Sequence, residues 1–479
     1  MAKPNIILLM GDDHGWEETG YNGHPFVKTP VLDEMAASGL RLDRFYSAAP
    51  SCTPTRASII TGRHPNRSGA FYPNWSLRPE EISIAQLMKQ AGYATAHFGK
   101  WHLGAVKKSS PVNPGAMGFD TWLSHDNFFE MDPVLSRDGL PPKKIEGESS
   151  EILIDKTIGF IEKQKGTEQQ PFFTVVWFGS PHEPYDAMEK DIALYAQLPD
   201  SLADKSVSLT SMETGTRAER SKRTVLQERY AEITAMDRAI GKLRFYLEQE
   251  GLKENTLIWY CGDNGTPPSG LYVTPFKGRK GTLYEGGIRV PGIIEWPSAI
   301  PAPRNENMIS VTTDMLPTLC ELVGQPLPER PLDGVSLVGL IRGESNHRES
   351  PIYFWRYDTD KEQEENPEPY IAPELQEGTT PLVKQMNGKF TRSFRNFRHL
   401  EVTETDYLGE KAIMGERYKL IIKGEGSSDK ELYDIVQDPA EKYNAIEKYP
   451  RIAEEMEKQL IIWQSSVLNS LTGKDYETQ

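Results

Sequence analysis

Short apolar runs recur along the chain, and each ends abruptly in glycine and polar residues. Residues 5–10 form the first, followed at once by Gly11-Asp12-Asp13. Residues 93–98 lead into Gly99-Lys100-Trp101-His102, residues 172–178 into Gly179-Ser180-Pro181-His182, and residues 256–261 into Gly262-Asp263-Asn264. Continuous apolar runs of this length read as strands of a parallel sheet, buried on both faces. Helical patterns lie between them. Thr29-Pro30 opens a helix through Ala37, with threonine as cap, proline at the first helical position and Gly39 as the stop. Ser83 caps a helix to Gln90, ended by Gly92, and further helices are expected over 151–164, 224–250 and 314–322. Residues 40–46 and 292–296 read as shorter strands. Residues 105–148, rich in Pro and Gly, and the polar stretch 186–222 read as long loops.

Strands alternating with helices predict an α/β fold, a large and mostly parallel sheet sandwiched by helices. Asp12 and Asp13, Lys100 and His102, His182, and Asp263 and Asn264 all follow the C-terminal ends of apolar strands. That edge of an open α/β sheet is where ligands bind, so four scattered segments are expected to meet there.

The tail reads differently. Residues 359–385 are acidic and contain proline, like a linker or long insertion. Residues 389–399 interleave Phe390, Phe394 and Phe397 with Arg392, Arg395 and Arg398. The phenylalanine spacing predicts a helix with a buried stripe; the alternative is a basic lip against an anionic polymer. Residues 418–422 and 431–435 read as strands of a small antiparallel sheet, and 450–468 as a closing helix. The expected division is a catalytic domain over 1–345 and a smaller C-terminal subdomain over 346–479, an antiparallel sheet plus a helix.

Composition narrows the function. A formal net charge of -15 over 479 residues argues against generic nucleic-acid binding. It leaves room for an anionic substrate in a locally basic pocket. No apolar run approaches the roughly 20 residues that span a bilayer. None near the start is long enough for a signal-peptide core. The expected location is periplasmic or secreted if a signal segment has been removed, and cytoplasmic otherwise. Cys52, Cys261 and Cys320 make neither a disulfide framework nor a Cys-x-x-Cys zinc pattern.

Asp12, Asp13, Asp263 and Asn264 offer hard oxygen ligands, which suit calcium or magnesium rather than zinc or a redox metal. Taken singly, each is an ordinary turn or cap residue. Lys100, His102, His182 and Lys280, converging on such an ion, describe a site for a tetrahedral oxyanion ester. His24, His64, His97, His347 and His399 read as structural. Cys52 sits in a polar, turn-prone run ahead of a helix start, with Arg56 four residues on. It reads either as a thiol at an anion site or as a buried loop cysteine.

The stretch Cys52-Thr53-Pro54-Thr55-Arg56-Ala57-Ser58-Ile59-Ile60-Thr61-Gly62-Arg63 resembles the signature of the type I, formylglycine-dependent sulfatases of the alkaline phosphatase-like superfamily. The resemblance continues through Pro4-Asn5-Ile6 to Asp13, Gly99 to Gly104, Gly118-Phe119-Asp120, Asp263-Asn264-Gly265, Lys280 to Gly287 and Glu431-Leu432-Tyr433-Asp434. Thr55 departs from it, because the family more often has serine there; threonine keeps the hydroxyl. The resemblance implies an alkaline phosphatase-like fold and hydrolysis of a sulfate ester. It implies that a separate formylglycine-generating enzyme oxidises Cys52 to formylglycine, whose hydrate carries the nucleophilic hydroxyl. It further implies one calcium ion, preferred over magnesium, on Asp12, Asp13, Asp263, Asn264 and residue 52. Arg56 would steady the hydrate, Lys100 and Lys280 would bind sulfate oxygens, His182 would protonate the leaving alcohol, and His102 would take the proton from the remaining hydroxyl as sulfate departs.

The run Ser124-His125-Asp126-Asn127-Phe128-Phe129 resembles sulfatases acting on sulfated polysaccharides. Candidates for the leaving-group pocket are His14, Trp16, Tyr72, Trp75, Arg78, His125, Asp126, Asn127 and Phe128, since aromatics beside hydrogen-bonding groups suit a sugar ring. The acidic surface should repel a long polyanion, which favours exo action or an oligosaccharide. Two other functions stay open. One is a phosphatase, phosphodiesterase or phosphonate hydrolase of the same superfamily, whose two metals need more Asp and His ligands. The other is a non-catalytic sulfoglycan-binding protein in which Cys52 is never modified.

Overall fold

A computed structural model of the chain describes residues 3–165, 170–360, 367–381, 391–424 and 429–476. Ten strands form the main sheet: β1 (Asn5–Gly11), β2 (Leu40–Leu42), β3 (Ala94–Lys100), β4 (Thr121–His125), β5 (Val134–Arg137), β6 (Lys143–Lys144), β7 (Phe172–Trp177), β8 (Thr256–Gly262), β9 (Gly292–Glu295) and β10 (Arg304–Glu306). Their order is β10-β2-β9-β8-β1-β7-β3-β4-β5-β6. The central strands β8, β1, β7, β3 and β4 run parallel. Antiparallel pairs flank them, β9 on β8 and β5 on β4, so the whole sheet is mixed around a parallel centre. Every residue of β1, β3, β7 and β8 is buried, which is why these strands read as unbroken apolar runs.

Helices cover both faces: α1 (Pro30–Ser38), α2 (Cys52–Thr61), α3 (Ile84–Gln90), α4 (Ser149–Lys165), α5 (Lys222–Gln249) and α6 (Met315–Val323). Side chains alternate along β1. Ile6, Leu8 and Met10 pack with Ile59, Leu87 and Leu316 of α2, α3 and α6. Ile7 and Leu9 pack with Leu32, Leu153 and Ile240 of α1, α4 and α5. Fully burying one such side chain is worth about 1.5–3 kcal/mol. The register then sets the level of the strand ends. Gly11 lies opposite Gly262, Gly99 opposite Trp177, and Lys100 opposite His125. The polar residues that follow β1, β3, β7 and β8 therefore emerge along one edge.

Ser83 caps α3 in a full capping box with Gln86. Thr29 does not cap α1. Its hydroxyl accepts from the Gly20 N–H and donates to Asp33, and the N–H groups of Val31 and Leu32 are taken by Asp237 of α5 at 3.0 and 2.8 Å. Residues 105–148 are not all loop, because β4, β5 and β6 lie there; short edge strands with polar positions leave no apolar run to read. Residues 186–222 contain an antiparallel hairpin, Ser206–Thr210 on Arg217–Ser221. The expected strand over 40–46 breaks into β2 and Phe45–Tyr46, which pairs with Ser310–Val311.

In the tail, Ile352–Trp355, Lys411–Met414, Tyr418–Ile422 and Lys430–Asp434 form an antiparallel four-stranded sheet, backed by α7 (Pro450–Leu471). The helix expected over 389–399 is absent from its described part. Thr391–Ser393 instead pairs with Glu377–Pro381, and Arg395 and Phe397 continue in isolated bridges. Phe390 lies outside the described residues, as do 361–366 and 382–385 of the acidic stretch. No helix among the described residues is long and apolar enough to cross a membrane.

Asp333 ties α7 to the segment after α2. Its carboxylate accepts Arg67 Nε and Nη2 at 2.7 and 2.9 Å, the His64 N–H at 2.6 Å and Trp463 Nε1 at 2.8 Å. Burial opposes its ionisation, but Arg67 outweighs burial and holds the carboxyl well below the usual range. Its stabilisation is therefore present above the ordinary carboxyl pKa of about 3.9 and fades as pH falls below it. Asp333→Ala should lower stability by about 3–5 kcal/mol, read by urea unfolding at neutral pH. The gap to wild type should narrow as the pH is taken below about 4.

Candidate active site

The polar turn before α2 folds back on the helix start. Thr55 Oγ1 donates to the Ala49 and Ser51 carbonyls at 2.9 and 3.0 Å, and Cys52 becomes the first, buried residue of the helix. Cys52 Sγ, an oxygen each of Asp12 and Asp13, and a ring nitrogen of His182 all lie within 4.8 Å of one another. Asp13 holds a left-handed backbone, φ 63°, rare for a residue with a side chain. Its N–H donates to Asp263 Oδ1 at 2.8 Å, and Asn264 Nδ2 donates to Asp13 Oδ1 at 2.9 Å. The Asp12 N–H donates to the Ser180 carbonyl at 3.0 Å, joining the end of β1 to the His182 loop.

Three cations face the three buried aspartates. Lys100 Nζ lies 2.7 Å from Asp12 Oδ2, Lys280 Nζ 2.5 Å from Asp13 Oδ1, and Arg56 Nη2 2.9 Å from Asp263 Oδ2 and 3.4 Å from Asp12 Oδ1. Arg56 also donates to the Lys100 carbonyl at 3.1 Å and lies 5.0 Å from the Trp177 ring centroid. Burial opposes ionisation of Asp12 and Asp13, but Lys100 and Lys280 win, and both carboxyls sit below the usual range. At Asp263 burial and the Asp12 charge prevail over Arg56, and the carboxyl rises to about 8. Asp12 Oδ1 and Asn264 Oδ1 are buried without a hydrogen bond. Orphaned hard oxygens beside an under-compensated carboxyl fit a divalent cation of the calcium type.

His182 Nδ1 contacts the Glu183 carbonyl, an acceptor only, so the proton belongs on Nδ1 and Nε2 faces Asp13 Oδ2 at 3.7 Å. Its ring stacks on Phe128 with centroids 4.7 Å apart and planes at 16°. His102 is also left-handed, φ 57°, with its carbonyl taken by the Thr53 hydroxyl at 3.0 Å. Both its ring nitrogens are buried without a partner. Burial, aided by Lys100, drives its pKa far down and keeps the ring neutral. Burial likewise pushes the Cys52 thiol up, which disfavours a thiolate nucleophile.

Two further residues build this site without any signal in the sequence pattern. Arg229, on α5, is fully buried and donates to the Asp13 and Pro181 carbonyls and to Glu18. Trp177, at the end of β7, carries Arg56 on its face.

The leaving-group candidates divide. His14 is buried with its ring nitrogens on the Tyr260 hydroxyl and the Glu18 carbonyl. Trp75 is buried against Phe71 and Phe397. Arg78 lies between the rings of Tyr370 and Tyr476. His125 Nδ1 accepts the Asn127 N–H at 3.0 Å, and the Asp126 carboxylate accepts the N–H groups of Val106, Thr379 and Thr380. His14, His125 and Asp126 have these polar atoms taken within the fold, while Trp75 and Arg78 are enclosed by aromatic rings. Trp16 packs on Phe276 beneath Arg289. Tyr72 donates to the Tyr357 carbonyl and lines a cavity of about 90 Å³ with Ser51, Pro54 and Gly281, behind the Cys52 turn. Asn127 and Phe128 remain, Phe128 against His182, and Asn127 with Oδ1 buried and unpartnered.

Comparison with known proteins agrees with this geometry. The family model described as Sulfatase matches residues 4–325. The N-acetylgalactosamine-6-sulfatase of Canis lupus familiaris is 30% identical over 402 residues, covering 74% of this chain and 69% of its own. An ulvan-active sulfatase of Formosa agariphila is 33% identical over 355 residues, covering 71% and 65%. The crystal structure of Ps i-CgsB in complex with k-i-k-neocarrahexaose shares the fold, with a TM-score of 0.76 at 23% identity over 99% of this chain and 95% of that one. The chain belongs to the sulfatase family of sulfuric ester hydrolases.

Proposed function

We propose that this chain hydrolyses the sulfate ester of a sulfated sugar or polysaccharide-derived oligosaccharide, with Cys52 converted to formylglycine and one calcium ion bound. The observation that carries this reading is the meeting of Cys52, Asp12, Asp13 and His182, with Lys100, Lys280 and Arg56 paired around it. Asp12, Asp13, Asp263 and Asn264, with residue 52, would hold the ion. Bound there, calcium supplies positive charge against the carboxylates and ester oxygens, while formylglycine supplies, as its hydrate, a hydroxyl on carbon in place of a thiol.

The chain's own groups orient the ester and move the protons. Lys100 and Lys280 would hold sulfate oxygens and offset the charge that builds on them. Arg56, fixed by Asp263, the Lys100 carbonyl and Trp177, cannot swing away and so orients residue 52. His182, once doubly protonated with its Nδ1–H kept on the Glu183 carbonyl, would give its Nε2 proton to the leaving alcohol oxygen. Burial holds its pKa below the ordinary imidazole value, and the neighbouring Asp12 and Asp13 charges oppose that shift. His102, neutral and with both nitrogens free of hydrogen bonds, would accept a proton from residue 52. A sugar leaving group suits Phe128 and Asn127 beside His182, and two of the relatives are named N-acetylgalactosamine-6-sulfatase and ulvan-active sulfatase. A separate maturing enzyme must act on Cys52 first.

Three measurements test this. After co-expression with a formylglycine-generating enzyme, peptide mapping should show the Cys52 peptide with one oxygen in place of sulfur and two hydrogens. A Cys52 that stays a thiol, or turnover of phosphate esters with no sulfate ester accepted, would remove the mechanism. His182→Ala should cost on the order of 100-fold or more on sugar sulfates and far less on nitrophenyl sulfate, whose leaving group needs little protonation; equal losses would demote His182 to a structural part. Calcium added to the chelated protein should stabilise it by about 2.7 kcal/mol at a hundredfold excess over Kd, seen as a rise in Tm. Asp263→Ala should abolish that rise, and its absence in wild type would exclude the ion.

A further inference from the structure

One guanidinium at this site has no acid beside it. Lys100, Lys280, Arg56 and Arg229 are each paired with a carboxylate. Arg392 makes no ion pair and no side-chain hydrogen bond among the described residues, and its Nε is buried without a partner. Arg392 is half-buried, and a partly desolvated cation left unpaired is costly, so its natural counterpart is an anion brought by a ligand.

The local structure explains why Arg392 points inward. Asp126 anchors Glu377–Pro381 by accepting the N–H groups of Thr379 and Thr380 at 2.6 and 2.7 Å. That strand carries Thr391–Ser393 as its antiparallel partner. Gly378 is required at the crossing, because a Cβ there would lie 2.2 Å from the Arg392 carbonyl and 2.9 Å from Asp126 Oδ2. On the other side the segment is stapled to the large domain, with the Arg395 N–H on the Asn74 carbonyl and the Ser76 N–H on the Arg395 carbonyl. Alternation along an extended chain puts Arg392 and Phe394 on one face. Phe394 is buried, 6.2 Å from the His102 ring, while Ser393 and Arg395 on the opposite face are exposed.

Arg392 therefore enters the wall beside the proposed acid. Its guanidinium carbon lies 5.4 Å from the centroid of the Phe128 ring, and Phe128 is the ring stacked on His182. Its charge is felt at His102 and His125, and it senses Cys52 in turn. Asn127, next to Phe128, is buried with Oδ1 unpartnered, an acceptor poised for a hydroxyl. A cation, an aromatic face and an orphaned amide oxygen on the leaving-group side describe a subsite for a sugar that is itself charged.

Resting on the sulfatase reading of the same site, we propose that Arg392 binds a second oxyanion on the leaving-group sugar, so that the substrate class is a sulfated sugar carrying a further sulfate or a carboxylate near the scissile ester. The test is equilibrium binding by titration calorimetry to full-length Cys52→Ala protein, which cannot be matured and so cannot turn the ligand over. Three probes are compared: a monosulfated neutral disaccharide, its disulfated counterpart, and its uronic-acid counterpart. The doubly charged probes should bind more tightly than the monosulfated one. Adding Arg392→Ala should weaken at least one doubly charged probe by about 10- to 100-fold, as expected for a lost charge-assisted hydrogen-bonded pair. The loss on the monosulfated probe should be several-fold smaller. The doubly charged probe that loses more identifies the second group as sulfate or carboxylate. Arg392→Lys should restore part of the affinity, since it keeps the charge without the planar fork. Circular dichroism and Tm check that each variant is folded, and Arg392→Gln serves if the alanine variant is not. Equal losses on all three probes, or no preference for the doubly charged ones, would overturn the proposal. Release of free sulfate by matured wild-type protein reports separately on the sulfatase reading. Turnover with a uniform Arg392 effect sinks the subsite alone, and a selective Arg392 effect without turnover sinks the hydrolase alone.

Discussion

The structure turns on compensating buried negative charge at the C-terminal edge of the parallel strands. Asp12, Asp13 and Asp263 have almost no exposed surface, and none could stay ionised there alone. Their cations come from elsewhere in the chain: Lys100 from the end of β3, Arg56 from α2, and Lys280 from the loop ahead of Gly286 and Gly287. None of these pairs exists until β1, β3, β8 and α2 are packed together, so site and fold form as one event. The pairing is uneven. Lys100 and Lys280 hold Asp12 and Asp13 below the usual carboxyl range, whereas Asp263 shares Arg56 with Asp12, and burial pushes its carboxyl up to about 8. That imbalance lies where two oxygens without a hydrogen bond, on Asp12 and Asn264, are also found, and a divalent ion would answer both deficits at once.

A second layer steadies the first through the backbone. Arg229 uses its fork on the Asp13 carbonyl at 2.6 Å, the Pro181 carbonyl and the Glu18 carboxylate. Asp13 is held at positive φ, a conformation that persists only where its surroundings over-determine it. Pro181 precedes His182. One guanidinium on a long helix thus fixes both the strand end that carries an aspartate and the turn that carries the proposed acid. Glu18 is shared further, accepting the Thr266 hydroxyl at 2.9 Å, which extends the brace to the loop after Asn264.

What the sequence made legible follows from burial. Strands buried on both faces leave unbroken apolar runs, so the centre of the sheet and the polar residues at its edge could be placed by reading alone. Edge strands such as Lys143–Lys144 are exposed and leave no such mark. The segment around Arg392 misled for a related reason. Phenylalanines three and four apart fit a helix, yet the pairing of Thr391–Ser393 with Glu377–Pro381 is a tertiary fact that no local spacing records. Arg229 was invisible because an arginine in an amphipathic helix ordinarily faces water, and its partners lie 211 and 216 residues away. That His14, Trp75 and Arg78 are buried among other side chains was not legible either, because residue type says what a side chain can bond, not what the fold packs around it.

The division of labour between the two parts of the chain has a physical basis. The groups proposed to react come from the large sheet and its helices, where Lys100, Lys280 and Arg56 are each tied to a buried carboxylate. Phe128, Asn127 and Arg392 meet at the seam between that sheet and the tail, and two of the three keep unpartnered polar atoms. Cations already committed to buried carboxylates tolerate little change, whereas a wall of groups outside those ion pairs can change its ligand without unbalancing the charges behind it. The net charge of -15 belongs to the same division. Surface carboxylates are screened beyond about 8 Å at physiological ionic strength, so they disfavour a long polyanion lying across the surface but do little to a short one already in the mouth. There Arg392 is, among the described residues, a cation with no paired carboxylate, and the proposed subsite would favour a small, densely charged sugar end over the body of a polymer.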